Sequence, residues 1–213
     1  MLSDVDIRKA LAEGWVKIEP LNEADIKPSW VILHLGENFL IPRRSIKAIR
    51  PDLNGGMENY QPFNATPANP LILRPGDFVL GETLEKVSVG KQLGMVLSTK
   101  SAIARHGLTG DFTSPFIETG TGVPNPRHIT LEIKNASQNV IALVPGIPFT
   151  KGYFFKLDTP ASRASDDDTG YYDVNVGAPK PVTREPSPKS NATTSHAATD
   201  AKNNAAKPKN KGI

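Results

Sequence analysis

The stretch Leu71-Ile72-Leu73-Arg74-Pro75-Gly76-Asp77-Phe78-Val79-Leu80 contains two short apolar runs separated by a turn signal. Adjacent Pro and Gly favour a tight turn, whereas the flanking Leu, Ile, Phe and Val residues favour strands. The stretch therefore predicts a strand, a turn at Pro75-Gly76 and a second strand. Thr83-Leu84-Glu85 and Val87-Ser88-Val89 continue the β pattern towards the carboxyl end.

The same strand signals recur on both sides of this stretch. We predict further strands at residues 15–18, 29–36, 39–42, 93–97, 129–133, 140–144 and 153–157. One short helix is predicted near the amino end, where Ser3 is a candidate N-cap, Asp6 follows three residues later and Gly14 ends the apolar spacing. Residues 101–106 fit a single helical turn, and residues 51–70 are predicted to form a long surface loop. Many short strands with Pro/Gly turns predict a mainly β barrel or sandwich.

The composition bounds the domain organisation. With 213 residues, of which 38% are hydrophobic, the chain has room for one domain with a core. Residues 184–213 hold six Lys and Arg against Glu185 and Asp200, a net of +4; subtracting this from the formal +3 leaves −1 for residues 1–183. The pI near 9.0 therefore comes from the tail, and no specific nucleic-acid partner is expected. We predict a β domain over residues 1–184 and a disordered, basic, low-complexity tail over residues 185–213.

The chain has no cysteine, which excludes disulfides and thiolate metal sites. It also excludes the zinc type of nucleoside deaminase, whose metal ligands include cysteines. The amino end lacks the basic region and long apolar run of a signal peptide, and no window reaches the ~18 apolar residues of a membrane span. We predict a cytoplasmic protein with no membrane partner, and a viral or phage origin is left open.

Two stretches carry residue types suited to nucleotide chemistry. Lys100-Ser101-Ala102-Ile103-Ala104-Arg105 places two cations and a hydroxyl beside small residues, which suits binding of a polyanion such as a triphosphate. Leu131-Glu132-Ile133 places one carboxylate in an apolar strand. Such a carboxylate is expected to be partly desolvated, which helps it to take and return a proton near neutral pH.

The order and spacing of several stretches carry a family resemblance. These stretches are Leu2-Ser3-Asp4 with Asp6-Ile7, Leu73-Arg74-Pro75-Gly76 with Thr83-Leu84-Glu85, Ser101 to Arg105 with Gly107-Leu108, Leu131-Glu132-Ile133-Lys134-Asn135, and the set Tyr172, Asn175, Gly177 and Pro179. Together they resemble the dCTP deaminase family, part of the trimeric dUTPase superfamily, over roughly residues 1–184. The resemblance implies a distorted β-barrel or jelly roll that assembles as a homotrimer. It also implies zinc-independent hydrolytic deamination of dCTP to dUTP, with Mg²⁺ accompanying the triphosphate.

Residue roles follow from the resemblance position by position. Glu132 falls on the catalytic glutamate of the family, which deprotonates the water that attacks C4 of cytosine and then protonates the departing amine. Ser101 and Arg105 fall on the R-S-S-x-A-R motif, whose residues bind phosphate and help to place the water. The predicted catalytic residues are thus Glu132 and Ser101, and the predicted substrate-binding residues are Lys100, Arg105, Ser114, Glu118, Tyr172 and Asn175.

The sequence departs from the family pattern at two motifs. Ile32 stands where the family's P-S-S-Y-D-V-R-L-G has aspartate, and Phe116 and Glu118 replace the arginine and aspartate of T-A-H-R-I-D-P-G-W. The family alignment also places an insertion before Glu132. Two alternatives therefore remain: a dUTPase-like nucleotide hydrolase that uses Glu118 to orient water, and a non-catalytic dUTPase-fold structural or binding protein, which Ile32 and Phe116 favour.

Each site residue also has a purely structural interpretation. Arg105 fits a surface ion pair, Ser101 a helix cap, and Glu132 an interface carboxylate paired with Lys134 or Arg127 of a neighbouring subunit. The four histidines lack the spacing of metal ligands. Asp166-Asp167-Asp168 is interpreted as a solvated acidic turn rather than as a metal site.

Overall fold

The structure, a computed structural model, describes residues 1–46, 48 and 59–168, and beyond them only two short strands. The α-helices are α1 (Asp4–Ala12) and α2 (Ser101–Ala104), and short 3-10 helices span Glu23–Asp25 and Ser165–Asp168. The strands are β1 (Val16–Glu19), β2 (Ile26–Lys27), β3 (Trp30–His34), β4 (Asn38–Pro42), β5 (Tyr60–Asn64), β6 (Leu71–Leu73), β7 (Phe78–Val89), β8 (Leu93–Thr99), β9 (Leu108–Thr109), β10 (Phe116–Ile117), β11 (Arg127–Asn135), β12 (Ile141–Leu143), β13 (Pro148–Lys156), β14 (Val174–Asn175) and β15 (Ala178–Pro179).

Helix α1 begins where the sequence predicts it. Ser3 is the N-cap and its hydroxyl accepts from the Asp6 backbone N–H at 3.2 Å, while the Asp6 carboxylate accepts from the Ser3 backbone N–H at 3.4 Å. This reciprocal capping satisfies N–H groups that the first turn of a helix otherwise leaves unpaired. Ile7 and Ala10 form the buried face of the helix.

The strands of the described residues form antiparallel sheets. The six-stranded sheet has the order β5-β4-β7-β11-β9, with β1 also paired to β7. The five-stranded sheet has the order β10-β8-β13-β3-β2, and β12 pairs with β6. The predicted mainly β class is confirmed, and among the described residues the strands form separate sheets rather than one closed barrel.

One hydrophobic core lies between the two larger sheets. Phe39 of the six-stranded sheet and Phe154 of the five-stranded sheet belong to the same buried cluster, together with Phe149. Each of these side chains is at most 1% exposed. Burial of a side chain of this size contributes about 1.5–3 kcal/mol to folding.

Two expectations about local structure were wrong or incomplete. Residues 60–64, placed in the predicted surface loop, form β5 and pair with β4. Pro62 is compatible with this strand because β5 lies at the edge of its sheet, where a missing N–H costs no internal hydrogen bond. The two strands around Pro75-Gly76 do form, and Gly76 has the positive φ of 86° that the turn requires, but β6 pairs with β12 and not with β7.

The predicted domain boundary at residue 184 and the predicted tail lie outside the described residues. Of the family's nucleotide-covering set, Tyr172 also lies outside them, and Asn175 is described only as part of the strand pair β14–β15. These assignments stay predictions.

Candidate active site

Strand β11 presents Glu132 on the face that points away from the core. The residues on either side of it, Leu131 and Ile133, are fully buried, whereas Thr130, Glu132 and Lys134 are half-buried. Alternation of this kind follows from the two-residue period of a strand. The partial burial expected for the Glu132 carboxylate is therefore present.

The segment of residues 111–113 runs alongside Glu132. The Phe112 backbone N–H donates to the Glu132 carbonyl oxygen at 3.2 Å, and Asp111 forms a parallel bridge with Glu132. Thr113 contacts the carboxylate itself, because its backbone N–H donates to Oε2 at 3.0 Å and its hydroxyl donates to the same oxygen. The carboxylate is thus held from one side by a single residue.

Glu132 lines a cavity of about 210 Å³. Ser114 and Glu118, both predicted to bind substrate, line the same cavity, as does the exposed Phe116. The fold therefore brings together three of the predicted site residues from β11 and from the segment around β10. A carboxylate, a hydroxyl and an aromatic ring around a small cavity suit a polar, planar ligand.

The 3-10 helix at Ser165–Asp168 contributes Ser165 to the lining of this cavity. The Ser165 hydroxyl donates to Glu118 Oε2, and the Arg127 guanidinium donates to Asp166 Oδ1 at 2.9 Å. Asp166 also accepts from the Gly122 backbone N–H at 2.9 Å. The interpretation of 166–168 as a solvated turn therefore misses the structural contacts of Asp166.

The predicted phosphate motif lies elsewhere in the chain. Ser101 and Arg105 are exposed at the two ends of the four-residue helix α2, and Lys100 precedes it. Arg105 lines a different cavity, of about 630 Å³, in which Glu132 has no part. Within one chain, therefore, the structure does not bring the cations of this motif to the Glu132 cavity.

Tyr60, which sequence reasoning missed, responds to the charge of Glu132. Burial raises the pKa of the Tyr60 phenol, and the nearby negative charge of Glu132 raises this pKa further. Tyr60 lies in β5, a strand in the stretch predicted to be a loop, so no sequence signal placed it in the sheet. Thr113 belongs to the stretch aligned with the family motif, but nothing in that alignment indicated its contact with Glu132.

Two histidines of the described residues, His34 and His128, make hydrogen-bond contacts within the fold. His34 Nδ1 lies 2.6 Å from Glu85 Oε1, and His128 Nδ1 lies 2.8 Å from the Thr83 carbonyl oxygen. Among the described residues, no three His, Cys, Asp or Glu side chains lie close enough together to hold a metal ion. None of the helices there is long and apolar enough to span a membrane.

Comparison with known proteins agrees with this geometry. A model of the dCTP deaminase-like family matches residues 1–157. The chain belongs to the dCTP deaminase-like family. The resemblance found in the sequence is therefore confirmed, and the cavity around Glu132 is the candidate active site of a dCTP deaminase-like protein.

Individual relatives support the same assignment. The chain is 34% identical over 170 residues to the dCTP deaminase, dUMP-forming, of Bifidobacterium animalis subsp. lactis, covering 79% of this chain and 86% of the relative. It is 35% identical over 167 residues to the dCTP deaminase of Halorubrum lacusprofundi, covering 76% and 80% of the two chains. In fold it resembles the 2'-deoxycytidine 5'-triphosphate deaminase of Agrobacterium tumefaciens, with a TM-score of 0.53 at 19% identity, over 72% of this chain and 46% of that one.

Proposed function

We propose that the protein hydrolytically deaminates dCTP to dUTP without zinc. The observation that carries this proposal is the Glu132 carboxylate, half-buried in the wall of a small cavity and held by Thr113, in a chain of the dCTP deaminase-like family. In this reaction Glu132 takes a proton from water, the water oxygen attacks C4 of cytosine, and the proton passes to the amine that leaves as ammonia.

The other predicted residues divide between the two ends of the substrate. Lys100, Ser101 and Arg105 bind the triphosphate, and Ser101 also helps to place the attacking water. Ser114 and Glu118 contact the nucleoside in the Glu132 cavity. Tyr172 and Asn175 cover the bound nucleotide.

Magnesium fits this site only as a companion of the substrate. The described residues contain no cluster of three carboxylate or imidazole groups, whereas Mg²⁺ bound to a nucleotide needs only one or two protein ligands beside the phosphates. Lys100 and Arg105 then neutralise the remaining phosphate charge, and bound Mg²⁺ contributes electrostatic stabilisation of the triphosphate.

Assembly as a homotrimer completes this site. Glu132 and Arg105 line different cavities of one chain, so a nucleotide that contacts both of them bridges two subunits. Homotrimeric assembly brings the phosphate motif of one subunit to the Glu132 cavity of its neighbour.

A second candidate function is further hydrolysis to dUMP in the same site. The Bifidobacterium relative is named as dUMP-forming. Glu118 supplies a second carboxylate in the Glu132 cavity, and this carboxylate would orient a water towards the α-phosphate. In the structure Glu118 accepts a hydrogen bond from the Ser165 hydroxyl. To orient a water, Glu118 would have to exchange this hydrogen bond for one donated by the water.

The test is to incubate the protein with dCTP and dUTP in the presence of Mg²⁺ and to follow ammonia and pyrophosphate separately. Ammonia alone supports deamination, ammonia with pyrophosphate supports the dUMP-forming reaction, and pyrophosphate from dUTP alone supports a dUTPase-like hydrolase. If neither ammonia nor pyrophosphate is released and calorimetry detects no nucleotide binding, the non-catalytic alternative remains.

Replacement of Glu132 by Gln provides the decisive variant. Gln keeps the size of the side chain but removes the proton acceptor, so ammonia release should fall by ~10² or more while dCTP binding persists. Glu37→Gln is the matched control, because Glu37 is an exposed glutamate outside the Glu132 cavity. Equal turnover in the two variants would contradict the role of Glu132.

A further inference from the structure

The two carboxylate oxygens of Glu132 are in different environments. Oε2 accepts two hydrogen bonds from Thr113, one from its backbone N–H and one from its hydroxyl. Oε1 accepts none from the residues that the structure describes. The side chain is therefore asymmetric before any substrate binds.

This asymmetry has a consequence for proton transfer. Hydrogen bonds donated to a carboxylate oxygen stabilise negative charge on that oxygen and occupy its lone pairs. A proton taken from water is then added to the oxygen whose lone pairs are free. We propose that Thr113 is a positioning residue that makes Oε1 of Glu132 the proton-carrying atom; this rests on the proposed deamination.

The segment that carries Thr113 is itself fixed. The Thr99 hydroxyl donates to Asp111 Oδ1 at 2.5 Å and accepts from the Gly110 backbone N–H at 2.8 Å. A Cβ added at Gly110 would lie 2.5 Å from the Phe149 ring, so the backbone there is closely packed. Thr99 directly precedes Lys100, which means that one short network joins the phosphate motif to the segment holding the Glu132 carboxylate.

The proton balance of the reaction is simple under this assignment. The water oxygen forms a bond to C4, and the water proton moves to Oε1. When the bond from C4 to the amino nitrogen breaks, Oε1 returns the proton to that nitrogen, which leaves as ammonia. The second proton of the water stays on the new C4 oxygen and moves to N3 as the C4 carbonyl of uracil forms. The Thr113 hydroxyl keeps its proton throughout, so its contribution is orientation and charge stabilisation on Oε2.

Two substitutions at Thr113 test the effect of its hydroxyl separately from the effect of its side-chain volume. Thr113→Val removes the hydroxyl and keeps the shape, while Thr113→Ser keeps the hydroxyl. Thr109→Val is the matched control, because the buried Thr109 hydroxyl has no hydrogen-bond partner among the described residues. Loss of one hydrogen bond to a charged group should lower kcat about 10- to 100-fold in Thr113→Val.

The kinetic signature is specific for positioning. We expect kcat to fall in Thr113→Val with KM for dCTP changed less than about twofold. Thr113→Ser should recover most of the wild-type kcat, and Thr109→Val should match the wild type.

A second measurement does not depend on turnover. In protein carrying ¹³C-labelled glutamate carboxyls, the Glu132 resonance is assigned by its absence in Glu132→Gln. At one fixed pH its chemical shift reports the hydrogen bonds that the carboxylate accepts, so it should move in Thr113→Val and stay near the wild-type value in Thr113→Ser and Thr109→Val.

The two measurements separate the possible failures. A wild-type protein that releases no ammonia from dCTP overturns the proposed function, and the chemical shift of the Glu132 carboxyl then still shows whether Thr113 holds it. A Thr113→Val variant with the same Glu132 chemical shift as Thr109→Val overturns the positioning role, whatever the activity.

Discussion

At the scale of single residues, Tyr60 provides a probe of the charge on Glu132. Burial is the larger cause of its raised pKa and the Glu132 carboxylate is the second. Glu132→Gln removes only the second cause, so the pKa of Tyr60 should fall towards its ordinary value without reaching it. Absorbance of tyrosinate during a pH titration measures this change, and Tyr60→Phe identifies which of the four tyrosines is responsible. An unchanged titration in Glu132→Gln would show that the two groups do not interact.

The same shift affects stability at alkaline pH. The pKa of Tyr60 is higher in the folded than in the unfolded chain, so its contribution to stability is complete below the unfolded pKa. That contribution is lost as pH rises through the folded pKa.

Some residues of the site could be predicted from the sequence, and others could not. Glu132 is identifiable because a carboxylate between apolar strand residues is a local signal. The hydrogen bonds of Thr113 to Glu132 and the electrostatic effect of Glu132 on Tyr60 join separate strands and segments, so they depend on pairing that local patterns do not specify. Phe116 was recognised as a departure from the family pattern, but only the fold places it in the lining of the Glu132 cavity.

At the scale of elements, the long strand β7 carries two glutamates whose side chains are buried. Glu82 and Glu85 are 4% and 3% exposed, respectively. Glu82 accepts from the Asn38 side-chain amide at 2.7 Å, and Glu85 accepts from the His34 backbone N–H at 2.9 Å. These contacts join β7 to β4 and to β3, which belongs to the other large sheet. The buried carboxylate of Glu85 therefore connects the two layers of the fold, while that of Glu82 joins neighbouring strands of one sheet.

Truncation of Glu85 should accordingly destabilise the protein. Glu85→Ala leaves the His34 backbone N–H and ring without their partner, and an unpaired buried hydrogen-bonding group costs about 1–3 kcal/mol. Lys86→Ala is the matched control, because Lys86 is the exposed neighbour on the same strand. Urea unfolding followed by circular dichroism should show a lower midpoint for Glu85→Ala alone. Equal midpoints would mean that the Glu85–His34 pair contributes little to stability.

Elements were predictable where periodicity is strong. The alternation in β11 and the capping residues of α1 fixed those two elements closely. Strand β5 was missed because Pro62 and its polar neighbours favour a loop, and only pairing with β4 makes the segment a strand. The pairing of β6 with β12 joins parts of the chain separated by five strands of the larger sheets, so turn chemistry at Pro75-Gly76 gave no information about it.

At the scale of the whole molecule, the proposed site is divided between two surfaces of the chain. Arg105 lines a cavity with His106 and Val140, whereas Glu132 lines the cavity that contains Ser114 and Glu118.

A guanidinium forms paired hydrogen bonds to phosphate that an ammonium does not reproduce, so Arg105→Ala should weaken triphosphate binding despite the presence of Lys100. If Arg105 comes from a neighbouring subunit, an oligomer that mixes Glu132→Gln and Arg105→Ala chains still contains some sites in which both residues are intact.

Complementation between two inactive variants tests this arrangement. Glu132→Gln and Arg105→Ala are each expected to have low activity at subsaturating dCTP. Co-refolded in equal amounts as a trimer, they should regain about a quarter of wild-type activity, because one in four interfaces then pairs an intact Glu132 with an intact Arg105. Light scattering checks that the mixture is trimeric, and separately refolded samples combined after assembly provide the control. A mixed trimer no more active than its two parents would place both residues in the site of a single chain, while a stable monomer in light scattering would remove the basis for a shared site.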